Sequence, residues 1–300
     1  MSRMKKIACW AGIVLVLFLI ASLAIIWRIG AWGILFPSDH HDTTAPAIAA
    51  DFGRGSEIRI LVFSKTNAFR HREGIAASHA LFERIAARRD WAVYHSENSA
   101  LFDADHLARF DVVVFACATG NMMSDEQDAA FQAWMHSGGG WIGIHAAGDG
   151  SHAEWSWYQE TMIGGAYNQH ILGPQTQQAR VVIEDANHPV TRGLPAEFLH
   201  EEEWYSWKTS ARTHGFHVLL TVDESTYEPY VRAGGSEVDI RMGDHPIVWS
   251  RCAGPGRAIY SAMGHWGAAY DDPNIARLLE NAVEWASGRT GDECGGARSG

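Results

Sequence analysis

Between residues 58 and 144 the chain alternates short apolar runs with stretches of helical periodicity, and few architectures accommodate that rhythm. The apolar runs are Ile58 to Phe63, Trp91 to Tyr94, Asp111 to Ala116 and Trp141 to Ile144. The third is apolar almost throughout, as a strand covered on both faces must be. Between the first two, Gly74 through Arg89 places Ile75, Ala76, His79, Leu81, Phe82, Ile85 and Ala86 on one helical stripe. Before the fourth, Ser124-Asp125-Glu126-Gln127 reads as a helix start, and Gly138-Gly139-Gly140 stops that helix after His136. Strands alternating with helices build βαβ units, so the expected fold class is α/β, an open and mostly parallel sheet with helices on both faces. Beyond about Ala153 the rhythm loosens into Trp- and Tyr-rich segments, with further strands near Val181, Val218, Ile247 and Ile259. A last amphipathic helix runs from Asn274 to Ala286 and turns Ile275, Leu278, Leu279, Val283 and Trp285 inward.

The N-terminus bears on compartment. Arg3, Lys5 and Lys6 precede an unbroken apolar run from Ile7 to Trp27, and Arg28 ends it. Roughly twenty residues at about 1.5 Å each cross a hydrocarbon core of about 30 Å. A cleaved signal has a shorter core and a small-residue cleavage site, and Trp27-Arg28-Ile29-Gly30 offers no such site. The reading is a cytoplasmic stretch 1–6, a single-pass transmembrane anchor 7–27 in the cell membrane and a linker 28–56. An α/β domain 57–288 on the extracytoplasmic side and a disordered tail 289–300 follow.

Composition narrows the partners. Lys plus Arg total 24 against 35 Asp plus Glu, a formal charge of −11, which speaks against a nucleic-acid surface. The 16 histidines and 13 tryptophans are high for 300 residues; imidazoles move protons or ligate metals, and indoles wall sugar sites or fill cores. Cys9 lies in the anchor, and Cys117, Cys252 and Cys294 show no CxxC spacing, so no disulfide framework is expected. Cys117 reads as a small buried hydrophobe in its strand.

In open α/β sheets, ligands bind beyond the carboxyl ends of the strands. Three such loops are legible: Ser64 to Glu73, Thr119-Gly120-Asn121, and Gly143-Ile144-His145-Ala146-Ala147-Gly148-Asp149. The last has the form of a nucleophile elbow, a sharp strand-to-helix turn with small neighbours that presents one side chain. Here that side chain is His145.

The ordered set Gly143-Ile144-His145-Ala146-Ala147 with Asp149, Trp155-Ser156-Trp157-Tyr158 with Gly164-Gly165, Asn187-His188-Pro189-Val190-Thr191, Glu202-Glu203-Trp204-Tyr205, Asp244-His245-Pro246-Ile247-Val248-Trp249 and Gly264-His265-Trp266 resembles the trehalose-utilisation (ThuA-like) family. The resemblance runs from about Ile58 to Gly288. It implies a flavodoxin-like fold of the class I glutamine amidotransferase type and a carbohydrate or oxidised (keto-) sugar as the small-molecule ligand. In amidotransferases the elbow carries cysteine and a later strand ends at histidine; here those places fall to His145 and His265. Without a thiolate there is no thioester route, so the chain is read as no glutaminase.

On this reading His145, His265, Glu203 and His71 are the candidate catalytic residues, with His145 and His265 facing each other and His71 and Glu203 at the rim. Asp149, His170, Trp155, Tyr205 and His245 are the candidate substrate-binding residues. Each has a plainer alternative: a solvated charge for Glu203, a core position for Trp155, a structural role before Pro246 for His245. The sequence fixes no cofactor. Several histidines leave a divalent metal open, although neither HExxH nor a close ligand pair is present. Two functions follow, a membrane-held hydrolase, lyase or isomerase using histidine and carboxylate acid–base chemistry, or a non-catalytic membrane-tethered sugar-binding module. Substrate and oligomeric state are not fixed by the sequence.

Overall fold

The computed structural model describes residues 3–233, 236–291 and 294. Its helices are α1 (Arg3–Arg28), α2 (Trp32–Leu35), α3 (Arg72–Arg89), α4 (Ala104–Leu107), α5 (Asp125–His136) and α6 (Pro273–Ala286). The first strands are β1 (Arg59–Phe63), β2 (Ala92–Ser96), β3 (Val112–Ala116), β4 (Gly140–Ile144), β5 (Tyr167–His170), β6 (Gln177–Ile183) and β7 (Glu197–Glu202). They are followed by β8 (Tyr205–Trp207), β9 (His217–Asp223), β10 (Tyr230–Ala233), β11 (Ser236–Asp239), β12 (Pro246–Ala253) and β13 (Gly256–Ser261).

Nine strands form one sheet in the order β2-β1-β3-β4-β13-β12-β9-β6-β7. The first five are parallel, and the remaining pairings are antiparallel. The parallel half therefore has the flavodoxin-like 2-1-3-4-5 order, with β13 as its fifth strand. Burial follows position: β3 and β4 are buried at every residue, whereas the edge strand β2 is half-buried throughout. The core is strongly aromatic, and Phe115 packs against Phe63, Phe131, Trp141 and Tyr158.

Local chemistry sets the element ends. Ser124 and Gln127 close a capping box at the start of α5. The φ of 100° at Gly138 ends that helix, and a side chain on Gly140 would strike the carbonyl of Ala286 on α6.

Three stretches differ from the sequence reading. The expected linker is strapped to the domain: Lys65 pairs with Asp42 at 2.6 Å, Gln127 donates to the Asp42 carbonyl, and Arg109 donates to the carbonyls of Ile48 and Ala49. Its polar groups found partners that a periodicity argument cannot see. Second, Cys252 and Cys294 form a disulfide with Cα atoms 5.4 Å apart, against the expectation of none. The 42-residue separation gave no local signature of the pairing. Third, the expected disordered tail is held where it is described, since the Arg257 guanidinium donates to the carbonyls of Thr290 and Gly291. The rest of that tail lies outside the described residues.

Helix α1 buries none of its residues and carries an 18-residue window of mean hydropathy 2.8, enough by length and composition to cross a membrane. A signal sequence would pass the same test. The residues just after it fold back onto the domain: Arg70 N–H donates to the Gly30 carbonyl at 2.9 Å. The Arg72 guanidinium lies 4.0 Å from the Trp27 ring centroid and donates to the Trp27 carbonyl.

Candidate functional site

The parallel order brings the ends of β1, β4 and β13 to one edge of the sheet, and the site is built from the loops that leave them. After β4 the chain enters a left-handed conformation at His145, φ 52°, and continues as a single 3₁₀ turn through Gly148. Holding a non-glycine residue there needs support. The Tyr260 hydroxyl donates to the His145 carbonyl at 2.6 Å, and the Tyr158 hydroxyl donates to that of Ala147 at 2.7 Å. Gly148 has no side chain because one would meet the Tyr260 ring. The turn does not present its side chain to solvent, as an elbow would: His145 is 0 % exposed.

After β13, Ala262 faces the elbow, and its carbonyl lies 2.8 Å from His145 Nδ1. This contact puts the proton on Nδ1 and leaves Nε2 pointing to the other side. There His145 Nε2 meets the Tyr205 hydroxyl at 2.9 Å, His265 Nδ1 at 3.2 Å and Glu203 Oε2 at 3.3 Å. His265 Nδ1 lies 3.0 Å from Glu203 Oε2. The His71 ring, on the loop after β1, sits edge-on to His145 and His265 at centroid distances of 4.7 and 5.1 Å. Its Nδ1 is buried without a hydrogen-bond partner among the described residues. One donor atom from each of His71, His145, Glu203 and His265 lies within 4.8 Å of the others. A cleft of about 470 Å³ reaches this cluster, lined by His71, His265, Gln175, Arg70, Arg72 and Ile29 among others.

Charge is unevenly placed. Burial alone would raise the Glu203 carboxyl, but hydrogen bonds from His145 and His265 outweigh it and hold the group well below the usual carboxylate range. Burial works against a charged His145, yet its bond to Glu203 and the nearby Glu202 raise its pKa. His71 is neutral, because burial and then the neighbouring His145 and His265 push its pKa well down.

Of the residues singled out from the sequence, the structure also brings Tyr205 and His170 to the cluster; His170 Nδ1 is 3.2 Å from Glu203 Oε1. Asp149, half-buried at the end of the elbow turn, is bonded to Ser151, and burial raises its carboxyl to about 6. His245 stands behind the site: its Nε2 meets the Tyr205 carbonyl at 2.7 Å and its Nδ1 meets Glu224 at 2.8 Å, so it orients the Tyr205 backbone. Trp155 is not at the cluster. It stacks on Tyr158 and packs against Phe131 and Trp157, beside the core.

Other groups at the site were not among the candidate site residues. Glu202, 0 % exposed, accepts from the backbone N–H groups of Glu203, Gly264 and His265. It thereby fixes both loops that carry the cluster. Behind it His200 bridges Glu202 and Asp272, and despite burial those two carboxylates raise its pKa to about 9. The Gln175 amide donates to Glu203 Oε1 at 2.7 Å. Cys117 also lies nearer than expected. It follows β3 with φ 50°, packs with Ala146 of the elbow, and its thiol lies 3.5 Å from the Gly264 carbonyl. Burial pushes that thiol up to about 12, so it is no ready thiolate.

An open flavodoxin-like α/β sheet with histidine, not cysteine, at the elbow after its fourth strand is the class that this fold and cluster define. The model of the ThuA family, described as trehalose utilisation, matches residues 59–286, and the chain belongs to that family. Among solved structures, a ThuA-like protein from Bacteroides uniformis superposes with a TM-score of 0.67 at 26 % identity, over 81 % of this chain and 95 % of that one. A ThuA-like protein from Parabacteroides merdae follows with a TM-score of 0.56 at 20 % identity, over 77 % and 90 % of the two chains. A cytoplasmic protein from Salmonella typhimurium shares the fold at 12 % identity, TM-score 0.53, over 76 % and 99 %. Among curated proteins none matches the chain.

Proposed function

We propose that the chain is a membrane-held enzyme acting on a carbohydrate that bears a carbonyl, an oxidised or keto-sugar, by proton transfer within the histidine–carboxylate cluster. One observation carries the reading: His145 Nε2, His265 Nδ1 and Glu203 Oε2 converge within 3.3 Å, beside a cleft, in a member of the trehalose-utilisation family. The cluster holds both proton states. His145, whose pKa the bond to Glu203 raises, and the Tyr205 hydroxyl are donors suited to a carbonyl oxygen, while neutral His71 offers as acceptor a nitrogen unpartnered among the described residues. A proton taken from the carbon next to the carbonyl, with one delivered to its oxygen, gives an enediol. Reprotonation of that enediol isomerises the sugar, and loss of a β-oxygen substituent cleaves it.

Export of the domain with retention of α1 fits the basic residues before the helix. It also fits the Cys252–Cys294 disulfide, a bond that persists in oxidising compartments.

The test incubates the full-length protein in detergent with keto- and parent disaccharides in D₂O and follows the products by NMR and mass spectrometry. Deuterium incorporation next to the carbonyl, or cleavage, is expected with keto-sugars, and its loss is expected in Glu203→Gln and His145→Ala. A sugar that binds with no exchange and no turnover, and binds as well to Glu203→Gln, would replace the enzyme with a binding module.

A further inference from the structure

We propose that His71, His145, Glu203 and His265 form a binding site for one divalent first-row transition-metal ion. The inference deepens the reading above by sharing its site, but it stands on donor geometry and does not depend on the sugar.

Three donor atoms form a nearly equilateral triangle: 3.2 Å from His145 Nε2 to His265 Nδ1, 3.3 Å from His145 Nε2 to Glu203 Oε2, and 3.0 Å from His265 Nδ1 to Glu203 Oε2. Ligands about 2.1 Å from an ion stand roughly 3.0 to 3.4 Å apart along the edges of an octahedron or tetrahedron. An ion about 2.1 Å from all three atoms would sit only about 1 Å out of their plane. The fourth donor is at hand. His71 is 7 % exposed, its Nδ1 has no partner among the described residues, and its ligand atom lies within 4.8 Å of the other three.

The surrounding contacts orient these atoms as a metal shell requires. His145 Nδ1 is committed to the Ala262 carbonyl, which leaves Nε2 facing inward to bind the ion as it gives up its proton. Glu203 Oε1 is engaged by Gln175 and His170, which leaves Oε2 for the ion. Glu202 pins the backbone on either side, holding Glu203 and His265 by their N–H groups. Three imidazoles with one carboxylate select zinc, iron, cobalt, nickel or manganese over magnesium or calcium, which prefer oxygen shells. The cleft lined by His71 and His265 leaves room for a further ligand on the ion. Once the site is loaded, the lone pairs of His71, His145 and His265 are engaged, so in the metal-bound chain proton transfer passes from these imidazoles to Tyr205 and His170.

The experiment strips the full-length protein with a chelator, adds Co²⁺ or Zn²⁺, and measures stoichiometry by elemental analysis and coordination by Co²⁺ ligand-field absorption. One equivalent per chain is expected, with affinity falling at least tenfold in His265→Ala and in the conservative Glu203→Gln. It should be unchanged in His214→Ala, an exposed histidine away from the cluster. No bound metal in a folded wild-type chain, or equal binding by all three variants, overturns the site. Metal bound in the expected pattern with no sugar turned over refutes the enzyme reading and leaves the site standing. Full turnover by stripped protein that takes up no metal does the reverse.

Discussion

His200 should make the stability of this chain fall between neutral and alkaline pH, and His200→Gln should remove that dependence. The buried imidazole lies 2.9 Å from Asp272 and 3.6 Å from Glu202, and its pKa in the folded chain stands at about 9. In the unfolded chain it titrates near 6.5. A group with a raised folded pKa stabilises fully below its unfolded value and loses that contribution as pH rises through the folded one. The window is therefore pH 6.5 to 9, and the difference corresponds to about 3 kcal/mol. Burial disfavours the charged forms of Asp272 and Glu202, but hydrogen bonds from His200 lead the effects that lower both pKa values, so both stay ionised across the window. The assay is urea unfolding of full-length protein in detergent at pH 6, 7.5 and 9.5, wild type beside His200→Gln. The gap between the two should be about 3 kcal/mol at pH 6 and should shrink steadily toward pH 9.5. Parallel pH profiles would refute the reasoning, because the imidazole would then carry no charge in the folded state.

Four further outcomes follow from the same structure. Removing the Cys252–Cys294 bond by a double serine substitution opens a 42-residue loop; the chain-entropy relation sets the cost at about 4 kcal/mol, and a loss below about 1 kcal/mol in urea titration would count against the bond. Cys117, buried and with its thiol pushed up to about 12, should resist maleimide at pH 8 until the protein unfolds. A folded Cys117→Ser chain should keep its turnover, and loss of turnover there would make the thiol a participant. N-terminal sequencing of the membrane-extracted chain should recover residues before Trp27, whereas a mature chain starting after it would convert the anchor into a cleaved signal.

The strand-and-helix rhythm up to Ile144 was readable because the inner parallel strands β1, β3 and β4 are buried on both faces, which forces apolar runs that no polar loop imitates. The place of β13 between β4 and β12 was not readable, since pairing across 117 residues, as between His145 and Ala262, leaves no local pattern. The acidic triplet shows the same limit at finer scale. Alternation along β7 turns Glu201 out and Glu202 in, and the strand then ends, so Glu203 is also buried. Periodicity cannot tell a buried pair of carboxylates from a solvated run. Trp155 and Trp204 look alike in sequence, and only tertiary packing sends one beside the core and the other to a position 1 % exposed.

The fold-back after α1 places part of the cleft outside the residues that the family model matches. The family match begins at residue 59, while Arg28 and Ile29 line the same cleft as His71 and His265. One wall of the cleft therefore comes from outside the shared domain, and ligand preference can change there while the four-donor cluster stays as it is. Trimming the chain to its matched core, a natural step toward an easily purified protein, would strip the loop 68–70 of its covering at Gly30 and Gly33 and widen the entrance. Affinities measured on such a trimmed version would describe a broader mouth than the one this chain carries.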